Sequence, residues 1–142
     1  MSANGAVMQG KKGLIMGVAN DRSIAWAIAK MAADHGAELA FTYQGDALRK
    51  RVEPLATSVG SDLVMPCDVT DDTAVAATFE DLAKRWSQVD FVLHAIAYSD
   101  KEQLKGQYAE TTRDNFLRTM DISCYSFTAV ARHAAPLMKA GG

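Results

Sequence analysis

Four short clusters in the sequence carry residue types that together could hold a dinucleotide. Gly17 interrupts an apolar run, and Ser23 stands shortly after it at the head of an amphipathic stretch. Glycine lets the backbone turn without a Cβ. The free amides and positive dipole end of a helix beginning at Ser23 can receive a pyrophosphate, and the Ser23 hydroxyl can donate to a phosphate oxygen. The spacing G-x-G-x-x-G is absent, however, and a serine at a helix start also serves as an ordinary N-cap, so the local pattern leaves both readings open. Gln44 closes a second apolar run, where nucleotide folds place an acid for the ribose hydroxyls. Glutamine both donates and accepts, so it can serve a ribose without excluding a phosphate by charge. Arg49, Lys50 and Arg51 follow it, as a solvated helix face or as a reason to keep NADP open beside NAD.

Asp68 and Val69 follow a third apolar run. There an aspartate can bond an adenine amino group and an aliphatic side chain can pack on the ring, although Asp68 is equally suited to capping a helix. A fourth run ends in His94-Ala95-Ile96-Ala97. Its small residues admit a cofactor ribose to the backbone, with Ile96 as a packing surface. His94 has no carboxylate nearby in sequence to orient it as an acid or base, so it reads as a strand histidine. Tyr98 and Ser99 open a polar loop at the mouth of such a site.

The elements that must position these residues alternate strand and helix. Leu14, Ile15 and Met16 make the continuous apolar run of a central parallel strand. Ile24, Ala27, Ile28, Met31 and Ala32 recur at helical spacing until Gly36. A second strand spans 37–43, and a helical pattern through Leu48, Val52, Leu55 and Val59 contains Pro54, which predicts a kink or a late start. Leu63 to Met65 forms a short third strand. Thr70 then caps a helix with Asp71 and Asp72 in its first turn and Val75, Phe79, Leu82 and Trp86 on its buried face. A fourth strand spans Asp90 to Tyr98, and a helical region runs from about Arg113 to Lys139 with a break near Asp121. Right-handed crossovers then predict a doubly wound α/β parallel sheet of order 3-2-1-4, with ligands bound between strands 1 and 4 beyond their carboxyl ends.

Composition excludes several classes. The 142 residues suit one domain able to bury roughly 68% of its unfolded surface. A net charge of −2 and a pI near 5.9 provide no basic surface for nucleic acid. No segment approaches a membrane span and the first residues lack a signal-peptide core, which places the protein in the cytoplasm. Cys67 and Cys124 read as reduced thiols, and the three histidines have no metal-ligand spacing, so no metal is assigned. Residues 1–11 read as a flexible leader, and residues 12–142 as dinucleotide-binding sequence.

GVANDRSIAWAIAK, AELAFTYQGD, PCDVTDD, DFVLHAIAYSD and RDNFLRTMDISCYSFTAVARHAAPLM, in this order and at these separations, closely resemble the type I bacterial enoyl-acyl-carrier-protein reductases, the FabI family. That family is a divergent branch of the short-chain dehydrogenase/reductases. The similarity runs from about Lys12 to the last residue. It implies a Rossmann-like fold and hydride transfer from NADH to a trans-2-enoyl thioester on acyl carrier protein, with a homotetramer as the family's habit. It also implies roles: Gly17, Ser23 and Ile24 at the pyrophosphate, Gln44 at the adenosine, Asp68 and Val69 at the adenine, Ile96 and Ala97 at the nicotinamide-side ribose, and Ser99 at the substrate. The family's catalytic tyrosines and lysine follow a fifth strand that would begin just past Gly142. Tyr98, Tyr108 and Tyr125 come too early to match them. The resemblance therefore predicts the N-terminal part of a single domain, with its C-terminal strands and catalytic groups missing. A non-catalytic dinucleotide-binding module is the alternative reading. NADPH stays open beside NADH, and a ketone reductase fits less well because Asn20 and Arg22 stand where those enzymes usually show glycines.

Overall fold

The computed structural model describes residues 6–140. Four strands, β1 (Lys12–Met16), β2 (Glu38–Tyr43), β3 (Val64–Pro66) and β4 (Phe91–His94), form one sheet in the order β3-β2-β1-β4. The pairings are parallel, with Leu14 opposite both Ala40 and Val92. Parallel neighbours require crossovers, and α1 (Ile24–Asp34), α2 (Gly45–Ser58) and α3 (Asp72–Arg85) supply them. After β4 come α4 (Arg113–Met120), a π-helical turn at Asp121–Tyr125, and α5 (Ser126–Ala134). The strand order and the doubly wound layering agree with expectation.

Side chains of β1 alternate across the sheet and define two cores. Leu14 and Met16 pack with Val75, Phe79 and Leu82 of α3 and with Val130 and Ala134 of α5. Ile15 packs with Ala25, Trp26 and Ala29 of α1 and with Val52 and Ala56 of α2. Leu14, Ile15 and Met16 are fully buried, as a strand covered on both faces requires. On the second face, Trp26 meets Phe41 of β2 at a ring separation of 6.4 Å.

Several local expectations are corrected. The face of α1 laid on the sheet is Ala25, Trp26, Ala29 and Ala32, while Ile24, Ile28 and Met31 are exposed. Helix α1 is apolar almost all round, and its alanines allow the closer approach to the strands. Helix α2 begins directly at Gly45 and continues through Pro54. Lys50 and Pro54 are both exposed, so water can serve the carbonyl that the proline ring leaves without a donor. Asp71, not Thr70, caps α3: its side chain accepts from the amides of Thr73 and Ala74. Strand β4 ends at His94 rather than Tyr98, because its neighbour β1 ends at Met16; the last rung joins Ala95 N to Met16 O at 3.0 Å. The expected break at Asp121 is a π-turn inside a continuous helical segment.

Of the expected leader, residues 1–5 lie outside the described residues. Residues 7–10 form a turn, and Met8 N donates to His35 O at 3.0 Å, which ties this segment to the end of α1.

Candidate functional site

A cavity of about 370 Å³ opens beyond the carboxyl ends of the strands, spanning the crevice between β1 and β4 where the chain reverses its winding. Gly17, Val18 and Ala19 from the turn after β1 line it. Tyr43 and Gln44 line it from β2, and Cys67, Asp68, Val69 and Thr70 from the turn after β3. Ile96, Ala97 and Tyr98 follow β4, and Arg118 and Ile122 reach it from the α4 segment. Gly17, Gln44, Asp68, Val69, Ile96 and Ala97 are thus brought together from four separate stretches of sequence. Ser23, Ile24 and Ser99 do not line the cavity.

The turn after β1 depends on the absence of a side chain at Gly17. Its φ is +107°, and a Cβ there would lie 2.1 Å from the carbonyl oxygen of Ala95. The backbone of β1 therefore passes directly against the end of β4. Beyond it, Ser23 begins α1 but makes no side-chain bond into the helix. Its Oγ instead accepts from the amides of Ala19 at 2.9 Å and Asn20 at 3.0 Å, closing the turn on itself. With both lone pairs engaged, the hydroxyl keeps only its proton to offer a ligand. The first bond of α1 runs from Ala27 N to Ser23 O, so the amides of Ile24, Ala25 and Trp26 have no partner within the helix and form a donor cluster at its positive end. The Ile24 side chain is exposed beside them.

At the β2 and β3 ends, Asp68 Oδ1 accepts from Thr70 N at 2.9 Å and from Thr70 Oγ1 at 2.7 Å. These two bonds hold the Asp68 carboxyl below its ordinary value, so it stays ionised. Its other oxygen, Oδ2, receives a longer bond of 3.4 Å from Gln44 Nε2. Burial pushes the neighbouring Cys67 thiol up, which keeps it protonated and a poor nucleophile.

His94 lies outside the cavity as a strut between sheet and helix. Ser126 Oγ donates to Ile122 O at 2.6 Å, which leaves it to accept from His94 Nε2 at 2.8 Å. The imidazole is therefore the Nε2–H tautomer. Burial lowers its pKa, and its ring meets Phe127 edge-on at 5.7 Å. The strand-histidine reading of the sequence agrees with this geometry.

The loop after β4 is held by residues that sequence reasoning missed. Ser123 Oγ accepts from Tyr98 N at 2.9 Å and donates to Tyr98 O at 3.2 Å, and the Arg118 guanidinium lies 4.7 Å from the centre of the Tyr98 ring. Asn115, itself buried, donates to Ser99 Oγ at 3.1 Å and accepts from Asp100 N at 2.9 Å. Ser99 is thereby turned toward α4. The available signal was the irregularity at Asp121, since π-turns accumulate at functional sites. Among the described residues no group of three or more His, Cys, Asp or Glu could hold a metal, and no helix is long and apolar enough to cross a membrane.

The family model described as enoyl-(acyl carrier protein) reductase matches residues 17–142. Enoyl-acyl-carrier-protein reductase (NADH) 2 of Rhizobium meliloti is 62% identical over 136 residues, covering 96% of this chain and 51% of its own length. The crystal structure of FabI from Candidatus Liberibacter asiaticus superposes with a TM-score of 0.91 at 53% identity, over 92% of this chain and 51% of that one. The enoyl-acyl-carrier-protein reductase of Anaplasma phagocytophilum, solved in complex with NAD, gives 0.91 at 53% identity over 97% of this chain and 53% of that one. The chain spans about half the length of the curated relatives it matches. A strand-end cavity floored by an obligate glycine, a matching family model over most of the sequence and these identities lead to one conclusion: the chain belongs to the enoyl-acyl-carrier-protein reductase family.

Proposed function

We propose that the protein serves NADH-dependent reduction of trans-2-enoyl thioesters carried on acyl carrier protein, in fatty-acid elongation, and that this chain supplies the dinucleotide-binding part of the site. The observation that carries the reading is the strand-end cavity, in which Gly17, Gln44, Asp68, Val69, Ile96 and Ala97 meet beside the unpartnered amides of α1. These residues fit the dinucleotide. The cradle at Gly17 is one that a Cβ would fill, and the free proton of Ser23 and the amides from Ile24 onward match an anionic pyrophosphate. Gln44 takes the adenosine ribose, the Asp68 carboxylate accepts from the adenine amino group, and Val69 packs on the ring. Ile96 and Ala97 border the ribose on the nicotinamide side. Ser99 stands on the substrate side, held by Asn115.

NADH, when bound, supplies a hydride for the β-carbon of the enoyl thioester. His94 is not assigned as a catalytic acid, since its ring is engaged by Ser126 and lies outside the cavity. On the same reading, the protein acts in the cytoplasm as a homotetramer.

Titration of the purified protein with NADH, followed by the fluorescence of the reduced nicotinamide, tests the binding reading. Saturable binding that is lost in Gly17→Ala supports it, and absence of binding by the unaltered protein overturns it. Loss of nicotinamide absorbance on adding a crotonyl thioester of acyl carrier protein tests the reaction itself.

A further inference from the structure

We propose that Arg118 is a clamp for the diphosphate of the dinucleotide, stored against the Tyr98 ring until the anion enters the cavity. The inference rests on the dinucleotide reading given above and adds to it a residue that closes on the diphosphate.

Charge in the cavity is out of balance for such a ligand. The lining residues carry one carboxylate, Asp68, and its hydrogen bonds keep it ionised. A diphosphate bridge brings further negative charge. On the α1 side the helix end offers the equivalent of about half a positive charge. Asp21 and Arg22, side by side in the turn before α1, offset one another. Arg118 is the one full cation among the described residues that line the cavity.

Its position suits the task. Helix α1 lies on the face of the sheet that holds Ile15 and Phe41, whereas Ile122, which lines the cavity with Arg118, packs into the core of the other face. An anion over the strand ends, in the crevice between β1 and β4, is therefore approached by amide donors from one side and by the guanidinium from the other. Arg118 belongs to the last turn of α4 and is exposed, so no packing fixes its side chain.

The guanidinium is also available. Among the described residues it has no carboxylate partner, and it rests 4.7 Å from the centre of the Tyr98 ring. An exposed cation on an aromatic face is weakly held, whereas a guanidinium fork on phosphate oxygens makes charge-assisted hydrogen bonds. The phosphate wins that exchange. Ser123 clasps the Tyr98 backbone independently of Arg118, so the loop after β4 keeps its place when the guanidinium leaves the ring.

Titrations with NADH at several salt concentrations, followed by nicotinamide fluorescence, compare the unaltered protein with Arg118→Met, Arg118→Lys and Tyr98→Leu. Arg118→Met keeps an unbranched side chain at an exposed position and drops the charge. It is expected to weaken NADH about tenfold or more at low salt and to flatten the salt dependence of binding. Arg118→Lys keeps the charge without the planar fork, so it should recover the salt dependence and only part of the affinity. Tyr98→Leu removes the ring and leaves the cation, so its salt dependence should equal that of the unaltered protein. A residue that merely propped Tyr98 would alter affinity without altering the response to salt. An Arg118→Met protein that binds NADH as the unaltered one does, or binds it more weakly with the salt dependence intact, overturns the inference and leaves the dinucleotide reading standing. A salt dependence lost in Arg118→Lys or in Tyr98→Leu overturns it as well. Failure of the unaltered protein to bind NADH removes both.

Discussion

Replacing Gly17 with alanine strikes the turn on which the cavity depends. A Cβ at Gly17 would lie 2.1 Å from Ala95 O, 2.6 Å from Ala95 C and 3.3 Å from Ala95 Cα, all inside the 3.4 Å at which ordinary contact begins. The obstructing atoms are backbone and cannot rotate aside. If β4 yields, the rung from Ala95 N to Met16 O is strained with it. A side chain at φ +107° costs about 1–3 kcal/mol in backbone conformation, and forced overpacking costs about 1–3 kcal/mol more. The sum, roughly 2–6 kcal/mol, is a large share of the ~5–15 kcal/mol by which a domain is stable, and for a chain of this size lowers Tm by roughly 8–24 °C. Gly60 provides the control. Its φ is +78° but no heavy atom lies within 4 Å of its would-be Cβ, so Gly60→Ala carries only the backbone cost of about 1–2 kcal/mol. Urea denaturation followed by the fluorescence of the buried Trp26 and Trp86 measures both variants. Gly17→Ala should also lose NADH binding, whereas Gly60→Ala should retain it. A Gly17→Ala protein no less stable than Gly60→Ala would refute the collision argument.

Ser126→Ala removes the acceptor of His94 Nε2–H and the donor to Ile122 O, at an expected cost of about 1–3 kcal/mol in urea denaturation. Burial lowers the His94 pKa, so the fold holds the neutral imidazole while the unfolded chain takes its proton at a higher pH. Stability from this group is therefore complete above the ordinary imidazole value near 6.5 and declines as pH falls from there through the lowered folded value; His94→Gln should flatten that decline in a series of melts. Cys124 is exposed and Cys67 buried, so iodoacetamide under native conditions should label Cys124 and spare Cys67, as read by mass spectrometry of tryptic peptides. Equal labelling of Cys67 would show that the core beneath the cavity opens readily.

The strand order was legible because each strand is an apolar run bounded by turn chemistry, and because alternation with helices leaves few topologies. The end of β4 was not, since Ala95-Ile96-Ala97-Tyr98 is as apolar as a strand. Only the partner's length, set by the turn at Gly17, decides where pairing stops. The buried face of α1 was hidden for a related reason. When nearly every position of a helix is apolar, periodicity no longer selects a face, and the fit of Ala25 and Ala29 against the sheet does. At the site, the residues at strand ends could be nominated from topology alone. Asn115, Arg118 and Ser123 could not, because each acts on a loop that lies well before it in sequence and reads locally as an ordinary polar position on a helix.

The π-turn at Asp121–Tyr125 has a consequence for chain length. A π-turn holds one residue more than α-helical geometry needs, and each residue turns a helix by about 100°. Deleting a single residue there would restore a regular helix and rotate one side against the other. Ser123 could then keep Tyr98, or Ser126 could keep His94, but not both. The segment is thus a spacer measured to the residue, and gain or loss of one position within it should harm the protein more than most substitutions. An insertion in the exposed loop at 101–111 disturbs no such phase.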